Sequence, residues 1–346
     1  NGLPINSDLC ECVKLLLGNS VILSEDSIKY YSETEWYSEE RLETLLESGI
    51  VDTINDDIIL ATDLKKEFLI YKTLIELGNK TTGLTDEDIS DVIEDFEEDR
   101  GFKLESLQKD GVRLTKYCAA VLSGCAGSGK TTTSDCMTEA LKRIPDFEER
   151  YNIVYCAPTG KACRRLAEVV RGTVRTIHSQ FGVGIGGGSF LAPVYSKSRS
   201  NNDKATIYLM DEMAMCSMSL LYEICRNLQS EDMIYFLGDI KQLPPIGKGN
   251  PFALLMKILP CVELGVSKRA AEGSSVNYNT TLINCLSDGA IKELSYNNSD
   301  FFSRECSDAS IPMEVVKVWR DFMDGSMNGK TYLEDDIQVI SGYQTD

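Results

Sequence analysis

From residue 117 onward the chain alternates between short apolar runs and longer segments whose apolar positions recur every three or four residues. Residues 117–123, 152–157, 206–210 and 233–237 are apolar runs of strand length, while 130–144, 161–170 and 218–228 carry helical spacing. Strands without polar alternation, each followed by a helix, predict an α/β fold: a parallel sheet with helices on both faces. The region before it reads differently. Residues 39–48 place apolar groups at 42, 45 and 46, Gly49 stops that helix, and 50–54 and 58–60 read as extended around the turn Asn55-Asp56-Asp57. With 64–77 as the following helix, this is the outline of a small α+β, winged-helix-like module. Residues 84–100 carry one apolar stripe (84, 89, 92, 93, 96) on an acidic helix, which predicts a helix packed by one face and solvated on the other.

The loops between these elements hold the chemistry. Gly124-Cys125-Ala126-Gly127-Ser128-Gly129-Lys130-Thr131 satisfies G-x-x-x-x-G-K-[ST] between a predicted strand and a predicted helix. Its glycines let successive backbone N–H groups turn toward phosphate oxygens, and the helix that follows presents its positive end. Lys130 would reach the β- and γ-phosphates of ATP, Thr131 would hold Mg²⁺, and Thr132 follows on the same turn. The strand 206–210 ends in Asp211-Glu212, placing Asp211 to bind the same Mg²⁺ and Glu212 to act as general base toward water. Gly238-Asp239-Ile240-Lys241-Gln242-Leu243-Pro244-Pro245 follows the next strand. Gln242 would lie near the γ-phosphate if that strand neighbours the one carrying Asp211. Ala157-Pro158-Thr159-Gly160-Lys161 and Thr176-Ile177-His178-Ser179 would share one sheet edge. Their hydroxyls, backbone N–H groups and Lys161 suit the phosphates of a single nucleic-acid strand.

Charge sharpens this division. The net charge of −19 sits almost wholly in residues 1–105, with nine Lys/Arg against 26 Asp/Glu; residues 150–204 reverse it, with nine against two. A polyanion within a Debye length of ~8–10 Å responds to the local patch, not to the total. The acidic front third suits a scaffold or a protein partner, and the basic stretch suits nucleic acid. Twelve Cys are scattered, mostly through apolar runs, without zinc-ligand pairing, which reads as reduced core thiols of a cytoplasmic protein. No stretch approaches the ~20 apolar residues a membrane span needs. The chain begins at Asn1 without Met, which reads as part of a longer protein.

The ordered set GCAGSGKTTT, APTGKACRRL, RTIHS, LMDEMAM and GDIKQLPPIGKGNPF resembles motifs I, Ia, Ib, II and III of superfamily 1 DNA helicases, in particular the RecD-like branch. The resemblance is specific over 104–275 and looser on either side. It implies a P-loop NTPase with a RecA-like domain, ATP and Mg²⁺ as cofactors, single-stranded DNA and single/double-strand junctions as partners, and 5′→3′ movement. It implies that Gln108 reads adenine and that Arg269 reaches the γ-phosphate from a second motor domain, although Arg269-Ala270 departs from the usual Arg-Gln. The family's motifs V and VI find no counterpart in the chain. The glycine-rich segment 182–204 fills the slot of a strand-separating pin, where Phe190 or Tyr195 could press on a base; a plain flexible loop fits equally. The expected organisation is an acidic winged-helix-like module at 1–80, an acidic linker helix at 81–105, motor domain one at 106–262 and the opening of a second RecA-like domain at 263–346. Two other readings stay open. One is a partner-regulated P-loop ATPase switch without unwinding, and the other is a viral-type superfamily 1 RNA helicase.

Overall fold

The computed structural model describes residues 22–23, 46–49, 51–54, 57–125, 127–183, 204–243, 245, 249–265, 307–326, 331, 333 and 337. The chain divides into two compact units, Asn1–Lys268 and Arg269–Asp346.

The first unit opens with a three-stranded antiparallel sheet. β1 (Ile22–Leu23), β2 (Val51–Ile54) and β3 (Asp57–Leu60) lie in the order β1-β3-β2, with Val51 opposite Leu60 and Ile54 opposite Asp57. The hairpin expected from the two extended runs is present, and β1 adds a third strand that the pattern did not single out. Helix α1 (Ala61–Gly78) follows directly. After it come α2 (Asp86–Arg100) and α3 (Ser106–Arg113). α2 begins with a capping box, Thr85 Oγ accepting from the Asp88 N–H while Asp88 accepts from the Thr85 N–H, and it ends at Gly101 with φ 69°.

A six-stranded sheet then follows. Its strands are β4 (Ala119–Gly124), β5 (Tyr151–Ala157), β6 (Thr173–Thr176), β7 (Ala205–Met210), β8 (Met233–Gly238) and β9 (Cys261–Leu264). All pair in parallel, in the order β6-β5-β7-β8-β4-β9. The helices between them are α4 (Lys130–Leu141), α5 (Phe147–Arg150), α6 (Gly160–Val169), α7 (Ile177–Phe181), α8 (Met218–Asn227) and α9 (Pro251–Ile258).

The uninterrupted apolar strands bury both faces because helices cover both. Ala120 and Leu122 of β4, Ile207 and Leu209 of β7, and Met233, Tyr235 and Leu237 of β8 pack with α2, α3 and α4 on one face. Their sequence neighbours Val121, Tyr208, Met210, Ile234 and Phe236 pack on the other, with α7, α8, α9 and α1. Helix α1 therefore packs onto the six-stranded sheet: Ile70, Leu74 and Leu77 are buried in the same core as Val121 and Phe236. Helix α2 is likewise no linker, since Ile89, Val92, Ile93 and Phe96 are buried against Leu122 and Met137. A boundary at 262/263 falls inside β9, whose Val262 and Leu264 pair with Leu122 and Gly124. In the second unit the described helix is α10 (Ile311–Met323), with Pro312 in its first turn.

Two glycines test this packing in opposite directions. A Cβ on Gly111 would lie 2.8 Å from Thr133 Cγ2 and 2.9 Å from Leu122 Cδ1, so α3 approaches the sheet only because that residue lacks a side chain. Gly111→Ala is expected to cost about 1–3 kcal/mol by overpacking. At Gly160 a Cβ would meet nothing within 4 Å, and Gly160→Ala is expected to stabilise by about 0.5 kcal/mol. Urea denaturation of the two variants beside the parent protein reads both signs.

Candidate nucleotide and nucleic-acid site

The phosphate loop joins β4 to α4. Gly127 (φ 83°) and Gly129 (φ 92°) are both left-handed, a conformation that costs other residues, and this winds the loop around the N-terminus of α4. No side chain caps that terminus, so its first N–H groups point into the loop. Ser128 is buried and its Oγ has no hydrogen-bond partner. An orphaned hydroxyl beside uncapped N–H groups and an ammonium is a fit for a phosphate group. Lys130 Nζ donates to the Gly124 carbonyl and, at 3.2 Å, to the Cys125 carbonyl. The ammonium thus lies over the loop, on acceptors that phosphate oxygens could replace.

The acidic pair stands two strands away. Asp211 N–H donates to the Cys156 carbonyl at 2.8 Å, carrying the β5–β7 pairing one residue past the strand end. Glu212 then turns into the left-handed region (φ 55°), unusual for a residue with a side chain, and its N–H donates to Asp211 Oδ1 at 2.9 Å. Burial pushes the Asp211 carboxyl above its ordinary value. The Glu212 N–H and Lys130 oppose that shift, while the Glu212 charge adds to it. Between the P-loop strand and the acidic strand lies β8, paired to both. The condition set by the sequence for Gln242 is met: the loop after β8 carries it back so that Nε2 donates to Glu212 Oε2 at 3.2 Å. Asp239 makes this turn, with Oδ1 accepting from the Lys241 N–H and its carbonyl from the Gln242 N–H.

Thr131 and Asp211 line the same small cavity, with Ser134, Tyr155 and Leu237. A hydroxyl and a carboxylate are the hard oxygen donors Mg²⁺ accepts. No cluster of three or more His, Cys, Asp or Glu suited to a metal occurs among the described residues, so its remaining ligands would be phosphate oxygens and water.

Gln108 reaches the loop from the other side. It is buried in the first turn of α3, where Oε1 accepts from the Glu105 N–H at 2.9 Å. A Cβ on Gly129 would lie 2.2 Å from Gln108 Nε2. The side chain therefore backs the phosphate loop, with its oxygen engaged by the helix cap.

The nucleic-acid candidates split. Ala157 pairs with Thr176, which brings Pro158, Thr159 and Lys161 beside Thr176 and His178 at one edge of the sheet. The Thr159 and Thr176 hydroxyls cap α6 and α7, accepting from the Ala162 and Ser179 N–H groups at 3.2 Å each. Their hydroxyls carry a local structural duty that the sequence reading did not separate from ligand contact. Lys161, Arg164, Arg165, Arg171 and Arg175 are exposed on the same flank. Arg164, Arg165 and Arg175 belong to the segments APTGKACRRL and RTIHS, while Arg171 between them lies in no motif. Phe190 and Arg269 lie outside the described residues, as do most of 182–204.

Residues 108–248 match the family model of an AAA domain. The chain is similar to the ATP-dependent RecD2 DNA helicase of Deinococcus radiodurans, 29% identical over 154 residues that make up 44% of this chain and 20% of that one. It is also similar to the RecBCD enzyme subunit RecD of Mycobacterium tuberculosis, 27% identical over 148 residues, 39% of this chain and 26% of that one. The chain thus spans about a fifth to a quarter of the length of these relatives. Among solved structures it is similar to the Pif1 helicase from Candida albicans, at 19% identity and a TM-score of 0.39, covering 52% of this chain and 44% of that one.

The Asp211 shift has a measurable consequence. Its carboxyl pKa is higher in the folded state than in the unfolded chain, so the native state holds the proton more tightly. Ionising it costs native stability as pH rises through the window above the unfolded value of 3.8. Asp211→Asn removes that cost and keeps an acceptor for the Glu212 N–H. At pH 7 the variant is expected to melt higher than the parent, by calorimetry, while losing Mg²⁺-dependent nucleotide affinity.

Proposed function

From the premise that this chain carries the motor domain of a RecD-like superfamily 1 helicase, we propose that it couples ATP hydrolysis to movement along single-stranded DNA. The observation that supports this most is the hydrogen bond from Gln242 to Glu212, which links the loop after the central strand to the group best placed to handle the attacking water.

In this reading the loop 124–131 and the N-terminus of α4 bind the triphosphate, Lys130 shifting from its carbonyl partners to phosphate oxygens. Thr131 and Asp211 hold Mg²⁺, which when bound neutralises phosphate charge. Glu212 accepts a proton from the attacking water as the water oxygen bonds to the γ-phosphorus. The bond from phosphorus to the bridging oxygen breaks, and ADP leaves with that electron pair. The exposed Lys161, Arg164 and Arg165 on α6, with Arg171 and Arg175 before and within β6, take the phosphates of a single strand. Gln108, backing Gly129, would report an occupied base site to the phosphate loop. Movement 5′→3′, action on single/double-strand junctions, service in repair or recombination and an arginine supplied by Arg269 belong to the same proposal, drawn from the resemblance. A protein partner for the acidic front third belongs to it too.

The test uses the full-length protein. Its ATPase is expected to rise with single-stranded DNA, and a 5′-tailed duplex is expected to unwind in preference to a 3′-tailed one. Lys130→Ala is expected to lower turnover by at least about 10²-fold with the fold intact. An ATPase indifferent to DNA would replace this proposal with the switch reading, and stimulation by RNA alone would replace it with the RNA-helicase reading.

A further inference from the structure

Helix α3 carries no chemistry of its own beyond Gln108, yet its first turn is anchored with unusual thoroughness. The anchor is Glu97, near the end of α2, whose side chain is 1% exposed. A buried carboxylate is costly unless every lone pair it offers finds a donor. Here each oxygen does. Oε1 accepts from the Leu104 N–H and from Lys109 Nζ, both at 2.8 Å, and Oε2 accepts from Lys103 Nζ at 2.9 Å. The two ammonium groups, with the N–H as a lesser influence, hold the carboxyl down at about 2 despite its burial.

The positions of these donors matter more than their number. Leu104 immediately precedes the N-cap residue Glu105, and Lys109 immediately follows Gln108. The carboxylate therefore grips the turn on both sides of the Glu105–Gln108 capping box. That box sets the Gln108 amide, and the amide lies where Gly129 leaves room for it. A hydrophobic side chain at position 97 could fill the same space, but it could not fix the rotation of the turn.

We propose that Glu97 is a positioning residue for the nucleotide site, holding Gln108 against Gly129 of the phosphate loop through the first turn of α3. It touches neither nucleotide nor metal. Its effect on affinity passes entirely through Gln108, and Lys109, 33% exposed, is the partner that matters; Lys103, 78% exposed, is a surface tie that water can replace. The inference rests on the nucleotide site proposed above.

The experiment is a double-mutant cycle on the full-length protein, read as the equilibrium Kd for a fluorescent N-methylanthraniloyl-ADP with Mg²⁺, at a temperature where circular dichroism finds every variant folded. Glu97→Gln is expected to weaken binding roughly tenfold, the equivalent of one charged hydrogen bond. Added to Gln108→Ala, it is expected to weaken binding no further, and Lys103→Gln is expected to stay within about twofold of the parent. If Glu97→Gln does not fold, Lys109→Met, which keeps the stem and removes one tie, takes its place in the cycle. Parent-like affinity for Glu97→Gln with only a lower melting temperature would reduce the carboxylate to a structural anchor and overturn the proposal. So would losses that multiply in the double variant. A parent protein that fails to bind the probe would instead overturn the nucleotide site itself.

Discussion

The site exists because β8 is hydrogen-bonded between β4 and β7. In a parallel ladder the register fixes how far each strand end projects. Here Ser123 stands opposite Gly238 and Met210 opposite Phe236, so three chain segments leave the sheet at nearly the same level. They are the phosphate loop, the acidic pair and the loop carrying Gln242. In this arrangement Gln242 of the third segment donates to Glu212 of the second. Slipping any pair by one residue would turn its buried set outward, and with Ile207 to Met210 and Met233 to Leu237 buried on alternating faces, that slip is forbidden by the core. Each such side chain contributes about 1.5–3 kcal/mol when buried, so the geometry of the loops is underwritten by the apolar pattern beneath them.

This explains which parts were legible from residue order alone. The strands 206–210 and 233–237 and the helix 218–228 between them are stated by hydrophobic patterning, and the phosphate loop and acidic pair are stated by residue type at strand ends; the helix Pro251–Ile258 after the second strand was not read. The position of β8 is not stated either: the chain visits β4, β5, β6 and β7 before it, and only pairing in space puts it at the centre. Short edge elements were missed for a related reason. β6 and β9 have four residues each, half exposed, and neither leaves a pattern longer than a turn. Helix α1 reads as the end of a separate acidic module because its sequence neighbours are acidic. Its apolar face, Ile70, Leu74 and Leu77, was spaced for a helix all along, and only the fold says which core receives it.

The site residues divide in the same way. Lys130, Thr131, Asp211 and Glu212 are recognisable because phosphate and metal chemistry demands those types at those places. Thr159 and Thr176 illustrate the limit, since a hydroxyl at a loop–helix junction satisfies a cap as readily as it meets a ligand. Glu97 was hidden altogether. In a helix of the sequence DEDISDVIEDFEEDR one carboxylate among many carries no mark, and only its burial between Leu104 and Lys109 distinguishes it. The strained backbone at Glu212 is likewise invisible in sequence. Its left-handed turn aims the carboxylate away from the strand axis toward Gln242, trading local backbone energy for a contact across two loops.

That contact is where nucleotide chemistry and a DNA-facing surface would be joined, so it is the place to test the account. The measurement is the ATPase rate of the full-length protein with and without single-stranded DNA, for the parent and for Gln242→Ala. If Gln242 links the β8 loop to the general base, the ratio of the DNA-stimulated to the DNA-free rate falls toward one in the variant, whatever the DNA-free rate itself becomes. An increase that survives the substitution intact would show that the Gln242–Glu212 bond is incidental to coupling, and would contradict the account at its centre.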